Sequence, residues 1–156
     1  MDLIDGLLAN HSTLRGALDY MNGLLERPCG CGWEDRMTLD TERLAKERGV
    51  FMSALKAHDI MEAAYIERVL GQFEEDREMT AALAEGHRAL GDMSRIFSAV
   101  AVLCDGEHVH RLRTVLERLR EELEERLSYE EKVVFPRLRE RVSSEQLREL
   151  GRRAGL

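Results

Sequence analysis

Apolar residues recur along this chain at steps of three, four or seven positions, the spacing that places side chains on one face of an α-helix. Four such stripes, joined by short connections, predict an all-α, up-down-up-down four-helix bundle. In chain order the stripes contain Ile4, Leu7, His11, Leu14, Leu18, Met21 and Leu25; Leu44, Phe51, Leu55, His58, Glu62, Tyr65 and Val69; Leu83, His87, Leu90, Ser94, Phe97 and Ala101; and Leu112, Leu116, Leu119, Leu123, Arg126, Glu130, Val133 and Phe135 or Leu138.

Helix-breaking and helix-capping residues separate these stripes. The first stripe stops at "RPCGCGW", where Pro28 and nearby glycines are incompatible with a continued helix. Gly106 in "CDGE" is expected to end the third helix. Near the C-terminus an S-x-x-Q capping pattern begins at Ser144 or one residue earlier, and it predicts a short terminal helix over residues 143–154.

Composition supports the helical prediction and narrows the classes of function. The 156 residues are 44% hydrophobic but only 5% aromatic, which favours helices and is enough for one domain over residues 1–156. The formal net charge of -7 argues against a nucleic-acid-binding protein, which would carry a basic face. The sequence contains no apolar run near the roughly 20 residues that span a bilayer, and its N-terminus does not resemble a signal peptide. We therefore expect a cytoplasmic protein without membrane or nucleic-acid partners.

The three cysteines, Cys29, Cys31 and Cys104, are an odd number, so they predict no closed disulfide framework. Cys29 and Cys31 lie in the glycine-rich "PCGCGW" segment. We interpret this segment as a turn with two reduced thiols, with a redox or partner-docking role as the alternative. A single C-x-C is too little for a metal site of its own.

Polar residues interrupt all four apolar stripes at comparable depths. Burying an unpaired imidazole or carboxylate in a bundle core costs on the order of several kcal/mol unless the group is hydrogen-bonded or bound to a metal. Neutral imidazoles and carboxylates are suitable ligands for iron, manganese and zinc. The pattern therefore predicts a metal site, and its candidate ligands are His11, His58, Glu62, His87 and Glu130.

A ferritin-like di-iron site is not supported by the sequence. That site needs two E-x-x-H motifs and two further helical glutamates. The chain offers one such motif, Glu107 to His110, at the start of the fourth helix. We interpret His108 and His110 as exposed residues at that helix start.

The order of the inward polar residues resembles the hemerythrin-like family, also called the HHE cation-binding domain. That family carries a His on its first helix, H-x-x-x-E on the second, a His on the third, and H-x-x-x-E followed by Phe-Pro on the fourth. Here the corresponding features are His11, "HDIME" at 58–62, His87 in "EGHRAL", and "RLSYEEKVVFP" at 126–136. The resemblance covers nearly the whole chain.

This resemblance implies a non-heme di-iron centre with Glu62 and Glu130 as bridging ligands. It also implies a protein that binds or senses O2, NO or peroxide, or that supports iron homeostasis or the repair of iron-sulfur centres. Two alternatives stay open. One is an oxidase or peroxidase-like enzyme that uses the same centre. The other is a metal-free helical interaction module, with "PCGCGW" and its Trp33 as the docking loop.

Arg126 departs from the family pattern, which has a His four positions before the final Glu. A guanidinium keeps its proton and is not a metal ligand. The centre would then hold two metals with water or Tyr129 in the gap, or one metal with Arg126 paired to a carboxylate, or no metal with Arg126 bridging Glu62 and Glu130. Alternatively, the long side chain of Arg126 could turn out of the cavity.

Three further residues lie near the predicted site. Asp59 and Glu131 are each adjacent in sequence to a candidate ligand, and a metal-bound imidazole usually has a carboxylate or carbonyl partner. We expect Glu131 to be solvated helix surface. Asp59 is equally consistent with solvated surface and with the carboxylate partner of a metal-bound imidazole. Tyr65 lies one turn beyond Glu62 and is expected to be a core residue with a satisfied hydroxyl.

Overall fold

The computed structural model describes residues 1–26, 41–102 and 109–156, and within these ranges all regular secondary structure is helical. The all-α prediction is therefore confirmed. Cys29, Cys31, Trp33, Cys104 and His108 lie outside the described residues. The elements are α1 (Leu3–Glu26), α2 (Thr41–Met61), the π-helical turn π1 (Glu62–Glu67), α3 (Arg68–Leu70), a 3-10 turn (Glu74–Asp76), α4 (Arg77–Val102), α5 (Val109–Tyr129), a second π-helical turn π2 (Glu130–Val134), α6 (Phe135–Arg141) and α7 (Ser144–Ala154).

The helices pack side by side around two apolar clusters. α1 contacts α2, α5 and α7, while α4 contacts α5 and α2. Core A comprises Leu14, Ala17, Leu18, Met21, Leu24, Leu25, Leu44, Phe51, Leu55, Leu90, Phe97, Leu112, Leu116, Leu119, Leu123 and Leu127. Core B comprises Leu3, Ile4, Leu7, Ile66, Leu70, Leu83, Val134, Phe135, Leu138 and Leu147.

The order in which each helix meets the two cores alternates along the chain. α1 and α4 pass from core B to core A, whereas the continuous segments α2–π1 and α5–π2 pass from core A to core B. On all four segments a charged or imidazole side chain lies at the change between cores. We call this set the polar layer, and its members are His11, His58, Glu62, His87, Arg126 and Glu130.

Both π-helical turns begin at a buried glutamate of the polar layer, Glu62 in π1 and Glu130 in π2. An α-helix has 3.6 residues per turn, so repeated steps of four would rotate successive side chains away from the core. A π turn contains one extra residue and restores the alignment. The two sets of buried residues spaced by four are His58, Glu62, Ile66 and Leu70, and Arg126, Glu130, Val134 and Leu138.

The π turns also explain where the predicted apolar stripes are wrong. The sequence places three core residues too early: Tyr65 and Val69 are half-buried, and Val133 is 40% exposed. The fully buried residue lies one position later in each case, at Ile66, Leu70 and Val134. The other stripe positions are buried, apart from His87 and Ala101, which are half-buried.

The C-terminal segment forms the helix α7, Ser144–Ala154. Its capping box starts one residue before Ser144, because the Ser143 hydroxyl accepts from the Gln146 backbone N–H and the Gln146 side chain accepts from the Ser143 N–H. Leu147 joins α7 to core B. A Cβ at Gly151 would lie 2.9 Å from the Met1 carbonyl oxygen, so this glycine permits close packing against the N-terminus.

Within residues 1–26, 41–102 and 109–156, every helix is too short or too polar to cross a bilayer.

Candidate metal centre

Three donor atoms from three helical segments converge in the polar layer. Glu130 Oε2 lies 3.0 Å from His11 Nε2 and 3.1 Å from His58 Nε2, and the three donor atoms lie within 4.8 Å of one another. All three side chains are fully buried. The two imidazole rings meet edge to face with centroids 4.9 Å apart, and Phe135 stacks on the His11 ring at 5.5 Å. This packing holds both rings in place.

The two nitrogens of His11 each face a carboxylate. Nδ1 lies 2.8 Å from Glu131 Oε1. Because an ionised carboxylate only accepts hydrogen bonds, Nδ1 carries a proton directed at Glu131. On the other side of the ring, Nε2 lies 3.0 Å from Glu130 Oε2, and within the described part of the chain it has no hydrogen-bond partner. An imidazole nitrogen and a carboxylate oxygen this close need either a proton or a metal ion between them.

Arg126 remains in the polar layer and is only 7% exposed. Its Nε donates to Glu130 Oε1 at 2.7 Å, and its Nη2 donates to Glu62 Oε2 at 2.7 Å. Nη2 also lies 3.0 Å from Asp59 Oδ1. The guanidinium therefore joins the two carboxylates that were predicted to bridge metals. The alternative in which Arg126 turns out of the cavity is wrong, because two buried carboxylates hold it inside.

His87 lies on the Arg126 side of the layer. Its Nε2 is 2.6 Å from Glu62 Oε2, its Nδ1 is 3.1 Å from Glu67 Oε1, and the side chain is 15% exposed. Glu62 contacts His58 at a longer distance, 3.5 Å. The five predicted ligands thus occupy one layer, but they divide into a group of His11, His58 and Glu130 and a pair of His87 and Glu62. Arg126 links the two.

The electrostatics of the layer favour ionised carboxylates. Burial by itself would raise the pKa of Glu130, but its contacts with His11 and His58 and the positive charge of Arg126 outweigh burial and hold the pKa well below its usual range. Burial also opposes the charge on Arg126, yet Glu130, Glu62 and Asp59 together raise its pKa. With neutral imidazoles, two buried glutamates and one arginine leave a net charge of -1 in the layer.

The predicted neighbours of the site have different roles. The prediction that Glu131 is solvated surface is wrong, because this side chain contacts His11 and is 29% exposed. Asp59 pairs with Arg126 and lies 3.9 Å from His87 Nε2. Tyr65 and Tyr129 are half-buried against core B. Among the described residues, neither tyrosine is found in a hydrogen bond to the polar layer.

Sequence reasoning missed two residues that support the site. Arg15 donates to Glu131 Oε1 at 2.8 Å, and Glu67 approaches His87. For both residues, the distance along the sequence from a predicted ligand indicates a shared helix face. Arg15 follows His11 by four positions and so shares its helix face. Glu67 follows Glu62 by five positions, the spacing of a π turn. His110, by contrast, is exposed, as expected for a residue at a helix start.

The donor set fits a transition metal. Two imidazole nitrogens and one carboxylate oxygen match the 2-His-1-carboxylate pattern typical of non-heme Fe(II) and are also compatible with zinc or manganese. The buried His11 Nε2 has no hydrogen-bond partner among the described residues, and such an ion would satisfy it. Glu131 supplies the carboxylate that metal-bound imidazoles usually contact through their second nitrogen.

Comparisons with known proteins identify no family for the chain. No protein-family model, curated protein or solved structure matches the chain.

Proposed function

We propose that this protein binds one divalent transition-metal ion, iron first among the candidates, through His11, His58 and Glu130. The observation that carries the proposal is the convergence of His11 Nε2 and His58 Nε2 on the Glu130 carboxylate, at 3.0 Å and 3.1 Å, among fully buried side chains. A divalent ion between these donors would turn three unfavourable buried groups into ligands. It would also change the net charge of the layer from -1 to +1.

We propose further that the fold is an up-down-up-down four-helix bundle of the hemerythrin-like kind. The alternating order in which α1, α2–π1, α4 and α5–π2 meet cores A and B supports antiparallel neighbours. A metal layer built from facing helices in the middle of such a bundle is a common arrangement.

One metal rather than two is favoured by Arg126. Its guanidinium uses one oxygen of each buried glutamate, Glu130 Oε1 and Glu62 Oε2. A second divalent ion at these oxygens would lie next to a fixed positive charge and would lose the ligands that Arg126 engages. The geometry therefore supports the arrangement in which one metal is bound and Arg126 pairs with the carboxylates.

A site with three protein ligands leaves coordination positions for a small ligand, and we propose that this ligand is O2, NO or peroxide. A non-heme iron ion would supply reversible binding or redox chemistry for such molecules. The chain itself would hold the ion among fully buried residues, limit access of water, and place the Arg126 charge where it favours a small anion.

Metal titration of purified protein tests the proposal. Wild type is expected to bind close to one Fe(II), Co(II) or Zn(II) ion per chain, whereas His11→Ala and Glu130→Gln should bind less than about a tenth as much at the same concentration. His87→Ala should keep the ion, because His87 is not in the three-donor group. His110→Ala, which removes an exposed imidazole, is the matched control. Wild type with less than about half an equivalent would exclude the proposal.

A second candidate is a metal-free bundle whose polar layer is a structural Arg–Glu network. It is favoured by the two 2.7 Å contacts of Arg126, which already satisfy one oxygen of each buried glutamate. In that case a proton shared by Glu130 and an imidazole would replace the ion. A melting temperature that is the same with a chelator and with added Fe(II) or Zn(II) supports this candidate, because an ion that binds only the folded state must raise stability.

A further inference from the structure

A chain of short contacts runs from the buried ring of His11 to the protein surface. His11 Nδ1 lies 2.8 Å from Glu131 Oε1, and Arg15 Nη1 donates to the same oxygen at 2.8 Å. Arg15 also holds Glu124 through two further hydrogen bonds, from Nε at 2.8 Å and from Nη2 at 2.9 Å. The side chains become more exposed along the chain, from 0% at His11 to 29% at Glu131 and 52% at Glu124.

We propose that Glu131 is the positioning residue of the metal centre and that Arg15 holds it in place. By accepting a hydrogen bond from His11 Nδ1–H, Glu131 would keep the proton on that nitrogen and leave Nε2 for the ion. This inference rests on the proposed metal site, but its first consequence, a proton held on His11 Nδ1, applies to the metal-free protein as well.

The backbone of π2 explains how two adjacent glutamates reach opposite sides of the His11 ring. Glu130 and Glu131 are the first two residues of π2. Glu130 points into the layer as a ligand, while Glu131 reaches the far side of the His11 ring. The same turn therefore places a candidate ligand in front of the imidazole and a carboxylate behind it, so the ring is held between them.

Arg15 fixes the position of the Glu131 carboxylate. Arg15 and His11 are four residues apart on α1 and so lie on one helix face, from which both contact the same Glu131 oxygen. The two bonds to Glu124 restrict the guanidinium, which leaves Nη1 directed at Glu131. Glu131 is thereby kept as an acceptor for His11.

Imidazole 15N NMR of the metal-free protein tests the tautomer directly. Wild type is expected to show a proton held on His11 Nδ1. Glu131→Ala removes the acceptor and should abolish this preference, whereas Glu131→Gln keeps a carbonyl oxygen and should retain most of the wild-type form. Glu121→Ala is the control, since it removes an exposed carboxylate of α5 outside this chain of contacts. A wild-type His11 with no proton on Nδ1, or an unchanged spectrum in Glu131→Ala, would overturn the inference.

Zn(II) titration of the same variants supplies the second readout. Glu131→Ala should weaken the Kd by about 10–100-fold, the usual effect of removing a carboxylate partner of a metal-bound imidazole. Glu131→Gln should recover part of that loss, and Glu121→Ala should bind as wild type does. If wild type binds Zn(II) and Glu131→Ala binds it equally well, the inference fails while the metal site stands. If wild type binds no metal, the proposed function fails and the NMR result still decides the role of Glu131.

Discussion

Among the described residues, charged side chains are buried in two places, and the two differ in how completely their polar atoms are paired. At the end of the 3-10 turn, Asp76 is 2% exposed, and each carboxylate oxygen accepts from its own arginine, Oδ1 from Arg137 at 2.7 Å and Oδ2 from Arg141 at 2.9 Å. Arg141 also lies over the Phe73 ring, 4.1 Å from its centroid. This cluster is complete without a ligand.

In the polar layer the pairing is incomplete. Arg126 satisfies one oxygen of Glu62 and one of Glu130, but the other side of Glu130 faces two imidazole nitrogens. With neutral imidazoles the layer keeps a net charge of -1, and His11 Nε2 has no hydrogen-bond partner among the described residues. Burial of charge alone therefore does not indicate a metal site in this protein. The unpaired His11 nitrogen and the carboxylate oxygen it faces distinguish the layer from the Asp76 cluster.

The largest effect on stability is expected for Arg126→Ala. The substitution leaves Glu62 and Glu130 buried without their cation, which should lower the free energy of unfolding by roughly 3–5 kcal/mol. Urea denaturation in the presence of chelator measures this loss. If divalent metal is then added, part of the loss should be recovered, because an ion can neutralise the same carboxylates. A loss below about 1 kcal/mol would show that the guanidinium does not stabilise the two buried carboxylates.

Asp76→Asn is the matched change in the complete cluster. It keeps the shape of the side chain and removes the charge that two arginines share, so we expect a smaller loss of roughly 1–3 kcal/mol. The loss should be the same with metal and with chelator, because no atom of this cluster belongs to the candidate metal site. A metal-dependent effect at Asp76 would mean that the two regions are energetically coupled.

The pH dependence of the unfolding free energy tests the ion pairs of Asp76. Burial by itself would raise the pKa of Asp76, but the hydrogen bonds and charges of Arg137 and Arg141 lower it below the ordinary value of 3.8. A depressed carboxyl pKa contributes stability above the unfolded-state pKa and loses it as the pH falls through the folded-state pKa. The difference in unfolding free energy between wild type and Asp76→Asn should thus be constant above about pH 5 and shrink below about pH 4. A difference that persists unchanged to pH 3 would contradict the assigned ion pairs.

Arg126→His is expected to change metal stoichiometry with a smaller effect on folding. The substitution removes a positive charge beside the proposed ion and adds a neutral nitrogen four residues before Glu130. Metal bound per chain should then rise above one, with His87, Glu62 and the new imidazole as added donors. Equal stoichiometry, affinity and optical spectrum for wild type and Arg126→His would show that Arg126 does not occupy a ligand position.

Sequence patterning predicted the helical class. It also predicted that His11, His58, Glu62, His87 and Glu130 lie at one depth, as they do in the polar layer. The seven stripe residues of α1, from Ile4 to Leu25, are all buried, because a regular α-helix repeats its faces faithfully. Prediction failed after Glu62 and Glu130, where a π turn shifts the buried face by one residue, at Val134 for example. A rule based on 3.6 residues per turn cannot detect such a shift unless steps of four are recognised as a signal.

The sequence left several pairings within the layer open, including the one in which Arg126 bridges Glu62 and Glu130, and could not decide among them. Glu131 looked like helix surface because its neighbours along the chain are charged, yet it contacts a ring 120 positions away in sequence. Arg126 was expected either to leave the cavity or to pair within it, and only the positions of Glu62 and Glu130 decide between these outcomes. Such contacts depend on the relative placement of helices, which local patterns do not encode.

A crystal structure of protein grown with Zn(II) or Co(II), with anomalous data at the metal edge, tests the central claim most directly. The account predicts one fully buried anomalous peak, within about 2.0–2.2 Å of His11 Nε2, His58 Nε2 and Glu130 Oε2. Arg126 should still pair with Glu62 and the other oxygen of Glu130. Crystals with no peak in the polar layer, or with a peak between Glu62 and His87 in place of the guanidinium, would contradict the account.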